Sequence, residues 1–149
     1  MKKKLKTLLS TVFAVVLGGG LIVNFAMDND RAETKTIGAS AYQIATFDME
    51  TKKVDKSDDA HILSNYITTD GLTIVTSEEF NVEYTLHWFD EDKGYLSSSA
   101  VQKGDWNGSP VLNAEFVRIE IDPVKDDDGI VTLFELPGYV AQLEVTVNK

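Results

Sequence analysis

A hydrophobic period of two runs through this chain from residue 38 onward, and it leaves room for little except β-strands. In NVEYTLHWFD (81–90), Val82, Tyr84, Leu86 and Trp88 fall on one face, while Glu83, Thr85, His87 and Phe89 take the other. Successive side chains of a strand point to opposite faces, so this spacing describes a strand buried on one side. EFVRIEIDP (115–123) turns Val117, Ile119 and Ile121 inward and Arg118 and Glu120 outward. AQLEVTVNK (141–149) sets Ala141, Leu143, Val145 and Val147 against Gln142, Glu144 and Thr146. Weaker strand signals cover 42–49, 61–69, 72–77, 95–101 and 130–136.

Turn chemistry separates these runs: TDG at 69–71, DEDKG at 90–94, DDDG at 126–129 and PG at 137–138. No amphipathic helix of convincing length follows Met27. About eight short strands at this spacing predict an all-β domain over 38–149, an antiparallel β-sandwich of jelly-roll or Greek-key type, with a closed barrel as the alternative.

The first 37 residues concern address. Residues 1–6 are basic, and Thr7 to Met27 is an uncharged run of 21 residues. At about 1.5 Å per residue such a run spans roughly 30 Å as a helix, the thickness of a hydrocarbon core. Lysines before it and Asp28 and Asp30 after it place the N-terminus in the cytoplasm and the domain outside. The run reads as a transmembrane helix or as the core of a cleaved signal peptide, which would release the product. Cleavage after Gly20 would find Gly18 and Gly20 at the recognised positions; cleavage after Ala26 or Ala32 would put Asn24 or Asp30 there. Residues 28–37 are polar and read as a linker.

Charge divides along the same line. After Met27 there are ten basic residues against 24 acidic ones, a net of −14. A surface so acidic repels phosphate backbones and argues against nucleic acid as a partner. The absence of cysteine removes disulfides, thiolate metal sites and cysteine nucleophiles, and in an exported chain it suits a bacterial envelope.

The stretch EYTLHWFDEDKGYLSSS (83–99) is a strand, an Asp-rich turn, and a strand that opens on an aromatic and ends in serines. It resembles a hairpin of jelly-roll, carbohydrate-binding-like modules of bacterial surface and phage tail proteins. AEFVRIEI (114–121) is similar to their following strand, and YQIATFDMET (42–51) to their opening one. The resemblance implies a non-enzymatic adhesion or glycan-contacting module whose long loop, carrying an exposed aromatic, includes Trp106.

Catalytic residues are not expected. His61 and His87 are far apart, and His87 sits on the outward face of its strand, where it reads as surface decoration. GDWNGSP (104–110) lacks a strand-to-helix elbow for a nucleophilic serine, and there is no glycine-rich phosphate loop. No cofactor is implied. DEDKG begins like a calcium loop, but Val101 stands at the twelfth position from Asp90, where a bidentate glutamate belongs. Asp90, Asp92 and the 126–128 cluster therefore read as solvated turns, with a loop calcium site as the sharper alternative and no metal site assigned.

Aromatic residues are more informative. Trp88 belongs to the core by alternation, and Phe89 and Tyr95 flank DEDKG as a cross-strand pair. Trp106, between Asp105 and Asn107 in KGDWNGSPV (103–111), fits no alternation. It is either a plug that pins its loop or a flat platform for a sugar ring, with Asp105, Asn107 and Ser109 supplying hydrogen bonds. The candidate ligand-binding residues are Trp106, Asp105 and Asn107. The expected function is a membrane-tethered, non-catalytic module that contacts glycan or protein at the bacterial surface. A structural or assembly component of an envelope complex, with no small ligand, is the alternative.

Overall fold

The computed structural model describes residues 33–79, 81–123 and 129–149. The basic segment 1–6, the membrane-spanning or signal run 7–27, most of the 28–37 linker and the 126–128 aspartates lie outside the described residues. Among the described residues no helix is long and apolar enough to cross a membrane. Thr34–Asn148 form one compact unit.

That unit is mostly antiparallel β-sheet arranged as a sandwich. Among the described residues eleven short strands follow in order: β1 (Thr34–Ile37), β2 (Tyr42–Ile44), β3 (Thr46–Asp48), β4 (Lys53–Asp55), β5 (Ile62–Ser64), β6 (Ile67–Thr68), β7 (Thr73–Thr76), β8 (Val82–Phe89), β9 (Tyr95–Ser98), β10 (Phe116–Pro123) and β11 (Leu143–Asn148). Among the described residues a 3-10 turn (Ala39–Ala41) precedes β2 and a short α-helix, α1 (Leu136–Val140), precedes the last strand. The larger sheet runs β2-β5-β10-β8-β9, with β6 also on β10. The smaller sheet is β1-β11-β7. A third piece is the β3–β4 hairpin.

The alternation of β8 and β10 sets the layering. Their antiparallel register pairs Trp88 with Val117, Leu86 with Ile119 and Tyr84 with Ile121, which puts all six on one face. There they meet Ile74, Val145 and Val147 of the smaller sheet in the main core. Each such aliphatic chain, fully removed from water, contributes roughly 1.5–3 kcal/mol.

The opposite face of β8 and β10 is also covered. Phe89 joins Leu63, Ala45 and Phe47 in a second core, with Val54, Tyr95 and Phe116 at its margin. The β3–β4 hairpin supplies Phe47 and Val54. The 42–49 run, expected as one strand, divides at Ala45, whose amide reaches His61 O at 3.1 Å; beyond it the chain leaves the larger sheet to pair with β4. The layers therefore number three.

Two further expectations are corrected. Thr34–Ile37, assigned to the linker, form an edge strand in register with Val145–Asn148; the β-branched Thr34, Thr36 and Ile37 suit a strand despite their polar setting. The 130–136 segment, expected as a strand, is a turn leading into α1. Thr132 explains the change: its carbonyl takes the amides of Glu135 and Leu136, both at 3.1 Å, and Pro137, which has no amide to offer a sheet, sits in the first helical turn.

Candidate functional site

The loop holding Trp106 closes one side of the sandwich. After β9 the chain continues along β8, where Gln102 and Tyr84 exchange backbone hydrogen bonds at 2.7 and 3.1 Å. It then crosses to the smaller sheet, where Trp106 bridges Ile74 on the edge strand β7. Residues 103–105 thus step from one sheet to the other. The Tyr84 hydroxyl donates to the Gly104 carbonyl within this step. Burial, then the nearby Asp105 charge, pushes that phenol up to about 12.

Trp106 is half-buried and packs on the main core. Its ring centroid lies 5.6 Å from that of Trp88 at a 46° tilt. Gly108 passes close over the indole, so that a Cβ there would stand 3.3 Å from Nε1. Asp105 is exposed, and its Oδ1 accepts the Thr76 amide at 2.7 Å and the Thr76 hydroxyl at 2.8 Å. Those two bonds hold its carboxyl below the ordinary range. Asn107, Gly108 and Ser109 are exposed beyond these attachments. Of the residues singled out from the sequence, Asp105 and Trp106 thus join the loop to β7, and Asn107 and Ser109 stand free of that junction.

The DEDKG turn forms a separate cleft of about 390 Å³, lined by Asp90, Glu91, Asp92, Leu96, Asn113 and Glu115. Asp90 Oδ1 accepts the amides of Asp92 and Gly94, at 2.9 and 2.8 Å, so this carboxylate shapes the turn. Lys93, rather than the glycine, takes the positive φ, at 64°. Among the described residues no three metal-type donors converge. Phe89 and Tyr95 do face each other across the hairpin, with centroids 5.8 Å apart.

His87 requires the main correction. Expected on an exposed face, it is only 3% accessible, because the β3–β4 hairpin lies over that face. Its Nδ1 is 2.6 Å from Ser98 Oγ, which is itself 2.8 Å from the Tyr95 hydroxyl. Its Nε2 lies 3.4 Å from Glu120 Oε1 without the geometry of a hydrogen bond. That oxygen accepts the Phe47 amide at 2.7 Å and the Thr46 hydroxyl at 2.9 Å. Burial alone would raise the Glu120 carboxyl; His87, the Phe47 amide and Thr46 together hold it below the ordinary glutamate value. A hydroxyl, an imidazole and a carboxylate in this order follow the logic of an activated nucleophile. Here, however, Ser98 Oγ is shared among His87, Tyr95 and the Met49 sulfur, all within the same interface. The group clasps the hairpin to the sheet.

Arg118, opposite His87 in register, is buried beside this clasp. Its Nε donates to Ser64 O at 2.8 Å, and its guanidinium lies 4.7 Å from the Tyr66 ring centroid. The alternation placed Phe89, a large apolar residue, on the face assigned to solvent, and this was the sequence signal that the face is covered.

His61 is apart from all of this. It bonds Asp58 at 3.0 Å at the foot of β5.

Comparison with protein-family models, curated proteins and solved structures finds no match in any of the three.

Proposed function

We propose that this chain is a membrane-tethered, extracytoplasmic module that catalyses no reaction and contacts a glycan or protein at the bacterial surface. Residues 7–27 are the tether, and the sandwich, of jelly-roll or Greek-key type, is the displayed body. The observation that supports the reading is the pinned loop. Trp106 and Asp105 fasten its base to β7, and Asn107, Gly108 and Ser109 extend exposed from that fixed point. Loops on a rigid scaffold are where recognition is usually placed, since preorganisation lowers the ordering cost of binding. Asn107 and Ser109 supply the hydroxyl-directed hydrogen bonds of a glycan contact, and the indole edge supplies the apolar surface.

The test is calorimetric titration of the full-length chain in detergent with cell-wall and host oligosaccharides. Binding that weakens at least tenfold in Asn107→Ala, with an unchanged melting temperature, supports the reading; a blank panel, or binding indifferent to Asn107→Ala and Trp106→Ala, overturns the glycan part of it.

One observation favours the second reading, an assembly component with no small ligand. Leu112, farther along the same loop, is 87% exposed. A projecting leucine suits a protein surface better than a sugar. Cross-linking in intact membranes through position 112 would then capture a partner chain.

A further inference from the structure

We propose that Met49 is a redox modification site: a peroxide converts its thioether to the sulfoxide, whose oxygen the Tyr95 and Ser98 hydroxyls receive, locking the tip of the β3–β4 hairpin onto β9. The inference goes beyond the surface-contact reading and needs no ligand from it.

The sulfur is reachable and engaged at once. Met49 is 43% exposed. The Ser98 and Tyr95 hydroxyls donate to its sulfur at 3.4 and 3.7 Å. Those hydroxyls are 2.8 Å from each other, so both lie on one side of the sulfur. A thioether is a weak acceptor, and two donors on one sulfur are more than it can use. The chain's other methionines, Met1 and Met27, lie outside the described residues.

A built turn presents the sulfur. Asp48 Oδ1 accepts the amides of Glu50 and Thr51 at 2.8 and 3.2 Å, and Asp48 O accepts the Lys52 amide at 2.8 Å. The Lys52 ammonium donates to the Met49 carbonyl and lies 4.6 Å from the Tyr95 ring centroid. Phe47, at the base, stacks on the same ring with centroids 5.3 Å apart. Met49, Lys52 and Phe47 thus share Tyr95 as a partner. Ser98 carries the contact inward to buried His87, 2.6 Å away.

The reaction is a two-electron oxygen transfer. A sulfur lone pair attacks one oxygen of hydrogen peroxide. The S–O bond forms, the O–O bond breaks, and the departing hydroxide takes the proton of the transferred oxygen and leaves as water. Sulfur is oxidised and peroxide reduced; a methionine sulfoxide reductase returns the two electrons. Sulfoxidation inside an apolar core disrupts it, because a polar group replaces an apolar one. At Met49 the setting is half open and lined by donors. An oxygen carried on this side of the sulfur falls to one side of the two S···O lines, where it can stand about 2.7 Å from each hydroxyl, the length of an O–H···O bond. A weak pair of contacts becomes a strong one without movement of the hairpin.

The experiment uses the full-length chain in detergent. After hydrogen peroxide treatment, peptide mass spectrometry should place an added oxygen on Met49. Hydrogen exchange then compares treated and untreated chains at the Phe47 amide, which bonds Glu120 Oε1 at 2.7 Å beneath the tip. Exchange there should slow roughly tenfold, as a costlier local opening requires, and the thermal melt should rise. A methionine sulfoxide reductase with a thiol reductant should reverse both. Met49→Leu keeps the apolar bulk without the sulfur and should show neither response, whereas Met27→Leu should keep both. A Met49 that stays unoxidised, Phe47 exchange unchanged or faster in the sulfoxide, or the same response in Met49→Leu would each overturn the proposal.

Discussion

Trp106 and Ile74 exchange backbone hydrogen bonds, Trp106 N–H to Ile74 O at 2.9 Å and Ile74 N–H to Trp106 O at 3.0 Å. An aromatic residue that fits no alternation in the sequence is thereby a one-residue extension of the smaller sheet. Its carbonyl and amide cap the edge of β7, where unpaired groups would otherwise invite another strand. Its ring fills the corner beside Trp88.

Replacing Trp106 by alanine keeps the backbone bridge but empties that corner. The ring is half-buried, so the expected cost is roughly 2–3 kcal/mol, below the ~3–5 kcal/mol of a fully buried aromatic. For a domain of this size that is a drop in Tm of roughly 10 °C, read by circular dichroism. In a Trp88→Phe background, Trp106 emission should be only partly quenched by acrylamide. A fully quenchable, red-shifted indole with no loss of Tm in Trp106→Ala would show that the ring does not pack as described.

Glu120 should govern acid stability of the β3–β4 hairpin. Its folded carboxyl is held below its ordinary value, so its contribution is complete above about pH 4.3 and is lost as pH falls through the folded value. Glu120→Gln replaces a charged acceptor of two hydrogen bonds and should cost roughly 1.5–3 kcal/mol at neutral pH. It should also flatten part of the decline in Tm below pH 4.3; the residue is related to that decline alongside Asp48, Asp58 and Asp105, also held low. Melts from pH 7 to 3 on both proteins check this, and parallel curves would refute it.

How much of this was legible follows from the period-two pattern. Alternation assigns Val82, Tyr84, Leu86 and Trp88 to the inward side of one strand and Val117, Ile119 and Ile121 to the inward side of another, and every one is buried in the main core. A pattern of this kind reports side, not which segment covers it. Phe89 hints that the face of His87 and Arg118 is covered, but nothing local reveals that residues 46–55 supply the cover, since that contact joins segments 73 residues apart in the case of Phe47 and Glu120. The 130–136 run misled for a different reason: its apolar residues suit a strand, but Thr132 captures the following amides and Pro137 stops a ladder. At the candidate site, the oddity of Trp106 was visible while its strand partner was not, because a single bridge to Ile74 leaves no period to read.

Gly71 should tolerate substitution poorly. It has φ of 70°, and a Cβ there would stand 2.4 Å from the Asn148 side chain. Asn148 in turn bonds Asp70 through its backbone amide at 2.9 Å and its side chain at 3.2 Å, which ties the end of β11 to this turn. Gly71→Ala should cost roughly 1–3 kcal/mol, from strain in the left-handed region and the displaced Asn148. Gly71→Asn should cost less of the backbone component, because asparagine visits that region more readily. Equal stability of wild type and Gly71→Ala in urea melts would refute the assignment.

Tyr84 should set part of the alkaline limit. Its hydroxyl donates to Gly104 O where the loop steps between sheets, and burial with the Asp105 charge raises it to about 12. A tyrosine in the unfolded chain ionises near 10. The neutral phenol is thus favoured by folding: its contribution is full below about pH 10 and is lost as pH rises through 12. Tyr84→Phe removes the hydroxyl and its bond, costing about 1 kcal/mol at neutral pH, and it should shed part of the Tm decline between pH 10 and 12. Tyr42, also raised by burial, keeps the rest. The difference between wild-type and Tyr84→Phe absorbance titrations isolates this phenol, and a midpoint near 10 would contradict the buried geometry. Hydrogen exchange supplies a second readout: freeing Gly104 should speed exchange at the Trp106 amide, two residues farther along the same loop, while the Val145 amide in the centre of the smaller sheet should keep its protection.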